Sequence, residues 1–359
     1  MINENRLTNT ITDLIQIDSP SGEEHLIADD LKRRFTELGF DTTNDSYGNV
    51  IARYGTGTPI LLSAHMDTVE PGRAIEPQII GSDIVSGDHT ILGGDCKAGI
   101  SGILEGITSV IEDGRPLKTI EVVFTRQEEI GLVGAKNLDF SLIQSEEAIV
   151  FDGEGPVTQI TSSSPTHVRF EANITGRSAH AGVEPEKGIS AIKIAADLIN
   201  RLPQGRLDSE TTFNIGIIEG GSVTNAVPEN TIIKGEFRSH NSQVLDGIKV
   251  IVDQAVEEVR NIHSQALIEV DMTTQFAAYS ISDSGRCLNR VNNALDKLGL
   301  SLNMHPSGGG TDGNVFRLNG IDAVVVGMGS HNAHTTREYV HIPELIDVAK
   351  FCEAIVLND

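Results

Sequence analysis

The sequence predicts an α/β protein with a mostly parallel sheet flanked by helices, interrupted by an inserted ferredoxin-like α+β unit. Three observations predict this. Short apolar runs alternate with helical periodicity up to about residue 163, the signature of strands and crossover helices. The pattern then changes to half-exposed strands in the order strand, helix, two strands, helix, strand, which is the ferredoxin-like order. Beyond residue 277 the first pattern returns. The expected domains are therefore 1–163 and 277–359, which form one α/β unit, and 164–276, inserted between them.

Leu7, Ile11, Leu14 and Ile15 recur at helical spacing and open the chain with a helix. Ser19-Pro20-Ser21-Gly22 breaks it; a second helix runs over 23–38 until Gly39 ends it. Residues 49–53 and 59–64 are apolar runs, the second uniform enough for a strand buried on both faces. Residues 99–112 are small and apolar at helical spacing, and 121–125 and 148–151 are further strands. In the inserted part, Val168, Phe170, Ala172 and Ile174 alternate with polar residues across 166–175, as in a half-exposed antiparallel strand. A helix over 188–201, strands over 212–219 and 231–238, a helix over 244–264 and a strand over 266–273 complete that unit. A helix over 285–298, glycines at 308–310, a strand over 322–326 and a last helix from Pro343 follow.

The chain has 359 residues, with 27 Lys plus Arg against 51 Asp plus Glu, a net charge of −24. That length suggests about two domains, and 39% hydrophobic residues suffice for a real core. So acidic a chain repels phosphate, so neither a nucleic acid nor an anionic membrane surface is an expected partner. Three scattered cysteines, Cys96, Cys287 and Cys352, do not make a disulfide framework and suggest a reducing compartment. The opening residues lack the pattern of a secretory signal, and no run approaches the roughly 20 apolar residues of a membrane span. The expected location is the cytoplasm.

Chemistry gathers where the predicted strands end. The run 59–64 leads into His65-Met66-Asp67, and Gly93-Gly94-Asp95 precedes the helix at 99. Strand 121–125 leads to Glu128-Glu129, strand 148–151 to Asp152-Gly153-Glu154, and His331 and His334 follow strand 322–326. Ligands of open α/β sheets bind beyond the carboxyl ends of the strands. Five elements therefore deliver His, Asp or Glu to one rim. Nitrogen and oxygen donors suit zinc, with cobalt or manganese as the other metals. So many carboxylates against two histidines point to two cations, which need a bridge when about 3.5–4 Å apart. Asp95 is the best placed for that. Asp67, two residues beyond His65 along an extended chain, is placed to orient its ring. Of the adjacent Glu128 and Glu129, one can ligate while the other acts as general base on an activated water. The chemistry expected is amide hydrolysis.

The segments S-A-H-M-D-T-V, G-G-D-C-K-A-G, T-R-Q-E-E-I-G, F-D-G and H-N-A-H-T-T-R-E resemble those of the di-zinc metallopeptidases. That family includes peptidase T, carboxypeptidase G, aminoacylase and acetylornithine deacetylase. The resemblance spans essentially the whole chain, and S-G-G-G-T-D-G-N at 307–314 is most similar to the peptidase T branch. It implies two zinc ions: His65 and Asp152 on one, Glu129 and His334 on the other, Asp95 bridging. It implies Glu128 as general base and Asp67 as the residue orienting His65. It implies an inserted lid and dimerisation domain, hence a homodimer. There His180, in T-G-R-S-A-H-A-G, contacts substrate, while Asn225 and Arg238 grip its far end; a guanidinium suits a carboxylate. Asp312 is a further candidate, for the α-amino group of a substrate. The substrate implied is a short peptide, with tripeptides losing their N-terminal residue. A carboxypeptidase or an N-acyl amino acid amidohydrolase uses the same scaffold, and a metal- or peptide-binding protein without turnover is the alternative of another class. Cys96 departs from the D-D-K-A-G form common in that branch.

Other polar residues have plainer readings. His25 and His89 suit helix surface or loop, and His305 and His341 a rim or no role. His331 yields to His334 as ligand. The glycines at 308–310 suit close approach of backbone to substrate better than a phosphate cradle, because no G-K-[ST] accompanies them. Glu23-Glu24 and Glu257-Glu258 read as solvated helix faces.

Overall fold

The computed structural model describes residues 1–87 and 89–358. The chain divides into two compact units: residues 1–163, 280–307 and 311–359 form the first, and 164–279 with 308–310 the second. Among the described residues no helix is long and apolar enough to cross a membrane.

The first unit is built on a nine-stranded mixed sheet. Its centre, in spatial order Ile120–Thr125, Ile60–His65, Glu147–Gly153 and Asp322–Gly327, is parallel. The strands flanking this centre join it antiparallel: Val50–Tyr54 pairs with Ile120–Thr125 on one side, and Gln159–Ser164 meets Asp322–Gly327 on the other, where Asn303–Pro306 then pairs in parallel with Gln159–Ser164. The parallel character read from the sequence therefore belongs mainly to the four central strands. All six residues of Ile60–His65 are buried, as its uninterrupted apolar run requires. One sheet face packs Leu61, Val123, Val150 and Val325 against Phe316 and Leu138.

Within Gly94–Glu112 the backbone is non-helical at Asp95 and Cys96, so the regular helix begins after that kink, close to the start its periodicity suggests. Gly99, Gly102 and Gly106 let it approach its neighbours closely. A Cβ on Gly99 would lie 2.4 Å from the Phe151 carbonyl, and one on Gly102 2.5 Å from Val348. The helix is thereby held close to the strand Glu147–Gly153 and the helix Ile342–Val356. A small four-stranded sheet, in the order Ser330–His331, Tyr339–His341, Asp83–Ser86, Pro77–Ile80, escaped the sequence reading because its strands are too short to show a period.

The second unit is a five-stranded antiparallel sheet with two helices, Ala191–Ile199 and Ser242–Ile262. Its four long strands, numbered along the chain, lie in the order 4-1-3-2, which is the ferredoxin-like arrangement. Val168, Phe170, Ala172 and Ile174 face its core with Phe213, Phe237 and the apolar sides of both helices.

Candidate metal centre

His65 ends a fully buried central strand, where its backbone pairs with Thr125 of the neighbouring strand. Its Nε2 lies 3.0 Å from Asp95 Oδ1 and 3.4 Å from Asp152 Oδ1. Asp152 comes from the neighbouring strand Glu147–Gly153. The other oxygen of Asp95, Oδ2, lies 3.2 Å from His334 Nε2, which is also 2.9 Å from Glu129 Oε2. Two groups of possible ligand atoms result, one holding His65, Asp95 and Asp152 and the other Asp95, Glu129 and His334. Asp95 belongs to both and turns a different oxygen to each.

The spacing fits metal coordination. Donors about 2.0–2.2 Å from a tetrahedral ion stand roughly 3.4 Å apart, and the distances above run from 2.9 to 3.4 Å. Imidazole nitrogens and carboxylate oxygens are the donors that divalent zinc, cobalt or manganese accept. Cys96 also falls near the first group. Its thiol, however, is buried and donates to the Phe151 carbonyl at 2.6 Å, and burial raises its pKa well above the ordinary value. A protonated, engaged thiol is a poor ligand.

Charge at the centre is unevenly held. Burial pushes Glu128 well above the usual carboxyl range, and Asp152, Glu129 and Asp312 add to it. Burial also raises Asp152 and Glu129. Hydrogen bonds from His334 and His65 outweigh burial at Asp95 and hold it below the usual range. The contacts with Asp95 and Glu129 raise His334 to about 10.

Asp67 does more than orient a ring. His65 Nδ1 is 2.9 Å from its main-chain carbonyl and 3.6 Å from its carboxylate, so the carbonyl is the closer partner. Its carboxylate instead accepts hydrogen bonds from Ser21 Oγ at 2.6 Å and from the backbone N–H groups of Glu128 and Glu129 at 2.9 and 3.2 Å. It thus fixes the turn that carries both glutamates.

Comparisons with known proteins place the chain in a family. Residues 164–263 match the peptidase dimerisation domain, and residues 49–151 match peptidase family M28. The Bacillus subtilis protein YqjE is 37% identical, with 99% of each chain aligned. The structure of aminopeptidase PepT from Bacillus cereus superimposes with a TM-score of 0.84 at 37% identity, covering 99% of this chain and 98% of that one. A Staphylococcus aureus tripeptidase gives 0.89 at 34% over the same shares. The chain belongs to the peptidase T-like branch of the M20 metallopeptidases.

Within this M20 metallopeptidase the remaining candidates are placed as follows. Glu128 lies outside both ligand groups, buried, and feels the charges of Asp152 and His65. Asp312 was expected at a substrate amino group; its side chain is instead buried and bonded to the Thr125 hydroxyl, with Oδ1 unpartnered. In the second unit, His180 and Asn225 lie on adjoining backbone segments, where Ala181 N–H donates to Asn225 O at 3.0 Å. The Arg238 guanidinium holds Glu236 with two bonds of 3.0 Å and donates to Gly308 O at 3.1 Å. Gly310 closely approaches the Phe276 ring, where a Cβ would lie 2.4 Å away; that packing accounts for the glycine without a substrate. His331 is taken by Glu344 at 2.6 Å, and His341 by Asp83 at 2.7 Å.

Two buried carboxylates near the centre were not recognised in the sequence. Glu24, read as a solvated helix face, is fully buried. It accepts the N–H of Gln127 at 3.1 Å and binds Arg126 at 2.8 Å, just ahead of Glu128. Glu338 closes the H-N-A-H-T-T-R-E segment and is also buried. Neither has a spacing that marks it. Each is defined by backbone N–H groups distant in sequence.

Proposed function

We propose that this chain is a two-metal aminopeptidase that hydrolyses short peptides, removing the N-terminal residue of tripeptides, with zinc as its metal. The observation that carries the reading is Asp95, which offers one oxygen to His65 and the other to His334. His65 and Asp152 would hold one ion, Glu129 and His334 the other, with Asp95 common to both. When bound, the ions supply a water of lowered pKa and polarise the scissile carbonyl.

The chain's own groups do the rest. Glu128 accepts the proton of the attacking water on its carboxylate and returns it to the departing amine nitrogen. Burial raises its pKa above the usual carboxyl range, which strengthens its carboxylate as an acceptor of that proton. Asp67 keeps Glu128 and Glu129 in register through their N–H groups. His180, Asn225 and Arg238 are the proposed substrate-binding residues; at Arg238 a substrate carboxylate competes with Glu236. The second unit is the proposed homodimer contact. Its match to a peptidase dimerisation domain and the exposed Ile217 and Ile218 on the strand Thr211–Gly220 support that reading. Free, buried Cys96, Cys287 and Cys352 suit the cytoplasm.

A panel of di- and tripeptides beside their N-acylated forms and N-acyl amino acids, assayed with zinc and with a chelator, tests the reading. Free-amine tripeptides should turn over, N-blocked ones should not, and chelation should stop the reaction. Turnover of N-acyl amino acids alone would make the chain a deacylase, and turnover unaffected by chelation would remove the metal mechanism.

A further inference from the structure

The loop before the helix Gly94–Glu112 has a structural problem to solve. Asp95 can show both oxygens to the centre because its backbone is not helical (φ −80°, ψ 105°), and Cys96 after it is not helical either. Such a start leaves N–H groups without intrahelical acceptors. Here they lie in a buried segment, since Leu92 and Gly93 are buried and Asp95 nearly so. An unpaired buried N–H is costly, so an acceptor must come from elsewhere.

It comes from Glu338. Oε2 accepts the N–H groups of Leu92 and Gly93, each at 2.8 Å, and Oε1 accepts that of Asp95 at 2.9 Å. The Ser330 hydroxyl donates to Oε1 at 3.4 Å. The carboxylate is buried, and Gly94 leaves the room: a Cβ there would lie 3.2 Å from Oε1 and 2.5 Å from Val340.

The place of Glu338 in the chain gives the contact meaning. Ser330–His331 pairs with Tyr339–His341, Ser330 opposite Val340 and His331 opposite Tyr339. The loop these short strands close carries His334, whose φ of 64° is an uncommon conformation for a histidine. Glu338 is the last residue of that loop. One side chain thus fastens the base of the His334 loop to the loop that presents Asp95, and His334 and Asp95 meet at 3.2 Å.

We propose that Glu338 is a positioning residue for the metal centre, a clamp that fixes the shared ligand Asp95 relative to the second histidine. The inference rests on the two-metal reading above. Only a carboxylate meets the demand. Three N–H groups and a hydroxyl need an acceptor-only group with about four lone-pair sites, whereas a carboxamide of the same shape turns two donors of its own toward them. Outer partners of metal ligands typically change metal affinity or activity by about 10- to 100-fold when altered.

The test is Glu338→Gln in the full chain, titrated with cobalt(II), whose absorption reports coordination. Alongside it run kcat and KM on a tripeptide that the unsubstituted protein cleaves, and the melting temperature of the metal-free forms. The clamp predicts cobalt bound about 10-fold or more weakly at one of two sites, an altered spectrum, and kcat lower by about 10- to 100-fold, with KM within about two-fold. Cobalt affinity and kcat within about two-fold of the unsubstituted protein would overturn it. So would a lower melting temperature with intact cobalt binding, because that marks a purely structural carboxylate. Should Glu338→Gln not fold, Glu338→Asp keeps the charge but withdraws the oxygens by one methylene, and is held to the same outcomes. If the unsubstituted protein takes up fewer than two cobalt ions, the two-metal reading itself fails, a result distinct from failure of the clamp.

Discussion

The two halves of the centre are held by different means. His65 and Asp152 come from Ile60–His65 and Glu147–Gly153, parallel neighbours in the middle of the sheet, and both side chains are nearly buried. Glu129 and His334 come from turns. Gln127 and His334 have positive φ, and the His334 side chain is 53% exposed. A ladder fixes the first pair. The second pair depends on carboxylates that receive backbone N–H groups: Asp67 beneath the Glu128–Glu129 turn, Glu338 at the base of the His334 loop, and Glu154, which accepts Asn332 N–H at 2.7 Å. The candidate ligands on strands are set by their strands, whereas those on loops rely on a second acid to position them.

The largest effect should come from a residue in neither half. Glu128→Gln should lower kcat by about 10²- to 10⁴-fold and leave the metal content at two ions per chain. Steady-state rates with metal analysis decide it; loss of metal together with rate would place Glu128 among the ligands, and unchanged kcat would remove it as the base. The next effect separates the halves. His65→Ala leaves Asp152 buried without its imidazole partner and Asp95 with only His334, and should cost stability of about 3 kcal/mol in the metal-free protein. His334→Ala removes a half-exposed ring whose pairs with Asp95 and Glu129 are screened by solvent, so it should cost the metal-free protein less stability than His65→Ala while weakening one cation. Calorimetry on both variants checks this, and equal losses of stability would break the contrast between strand and loop.

The same contrast explains what could be read in advance. The central strands were legible because each is an apolar run, and two of them, 59–65 and 148–152, lead directly into a histidine or an acid. The order of the second unit was legible because Val168, Phe170, Ala172 and Ile174 alternate cleanly. The proposed ligands stood out by residue type at strand ends. What supports them did not. Glu24 beside Glu23 looks like any charged pair on a helix, yet it is buried on Arg126 and Gln127, about a hundred residues away. Asp67 was assigned to His65 by spacing, and the N–H groups of Glu128 and Glu129 that occupy its carboxylate leave no trace in spacing. Asp312 was legible as an acid but not as a buried one, since burial is a property of the packed helix Asp312–Leu318 and its neighbours. The antiparallel pairing on either side of the central strands was missed for a related reason: pairing direction depends on connections, not on the apolar content of a strand.

Titration offers a smaller effect that bears on both halves. Burial holds Asp152 up to about 6 and Glu129 up to about 7. Both pKa values lie above those of the unfolded chain, so the folded protein binds more protons between about pH 4 and 7, and its stability falls as pH rises through that window. His334 is raised by Asp95 and Glu129 to about 10, so its contribution is complete below about pH 6.5 and is lost as pH rises through 10. Depression of Asp95 acts oppositely and matters only in acid, where its contribution is lost. The metal-free protein should therefore melt progressively lower from pH 5 to pH 8, and the gain on adding zinc should grow over the same range, because metal binding takes deprotonated ligands. Calorimetry with a chelator and with zinc measures both trends. A metal-free melting temperature that is flat or rising would contradict the assignment of raised carboxyls to both halves.

The smallest expected effect concerns Cys96, one residue from the shared ligand. If the strand half is held by His65, Asp95 and Asp152 alone, the thiol is a packing group whose proton goes to the Phe151 carbonyl. A serine hydroxyl donates to the same acceptor, so Cys96→Ser should bind two metal ions and keep kcat within about two-fold, with only the modest stability cost of a smaller, more polar group in a buried site. Cobalt spectroscopy makes the comparison strict, since a thiolate ligand gives an intense charge-transfer band that nitrogen and oxygen donors do not. Absence of that band in the unsubstituted protein and unchanged binding in the variant fit a donor set of imidazole and carboxylate. A band that disappears in Cys96→Ser, together with weaker binding at the strand half, would make the cysteine a ligand and move that half toward softer metals.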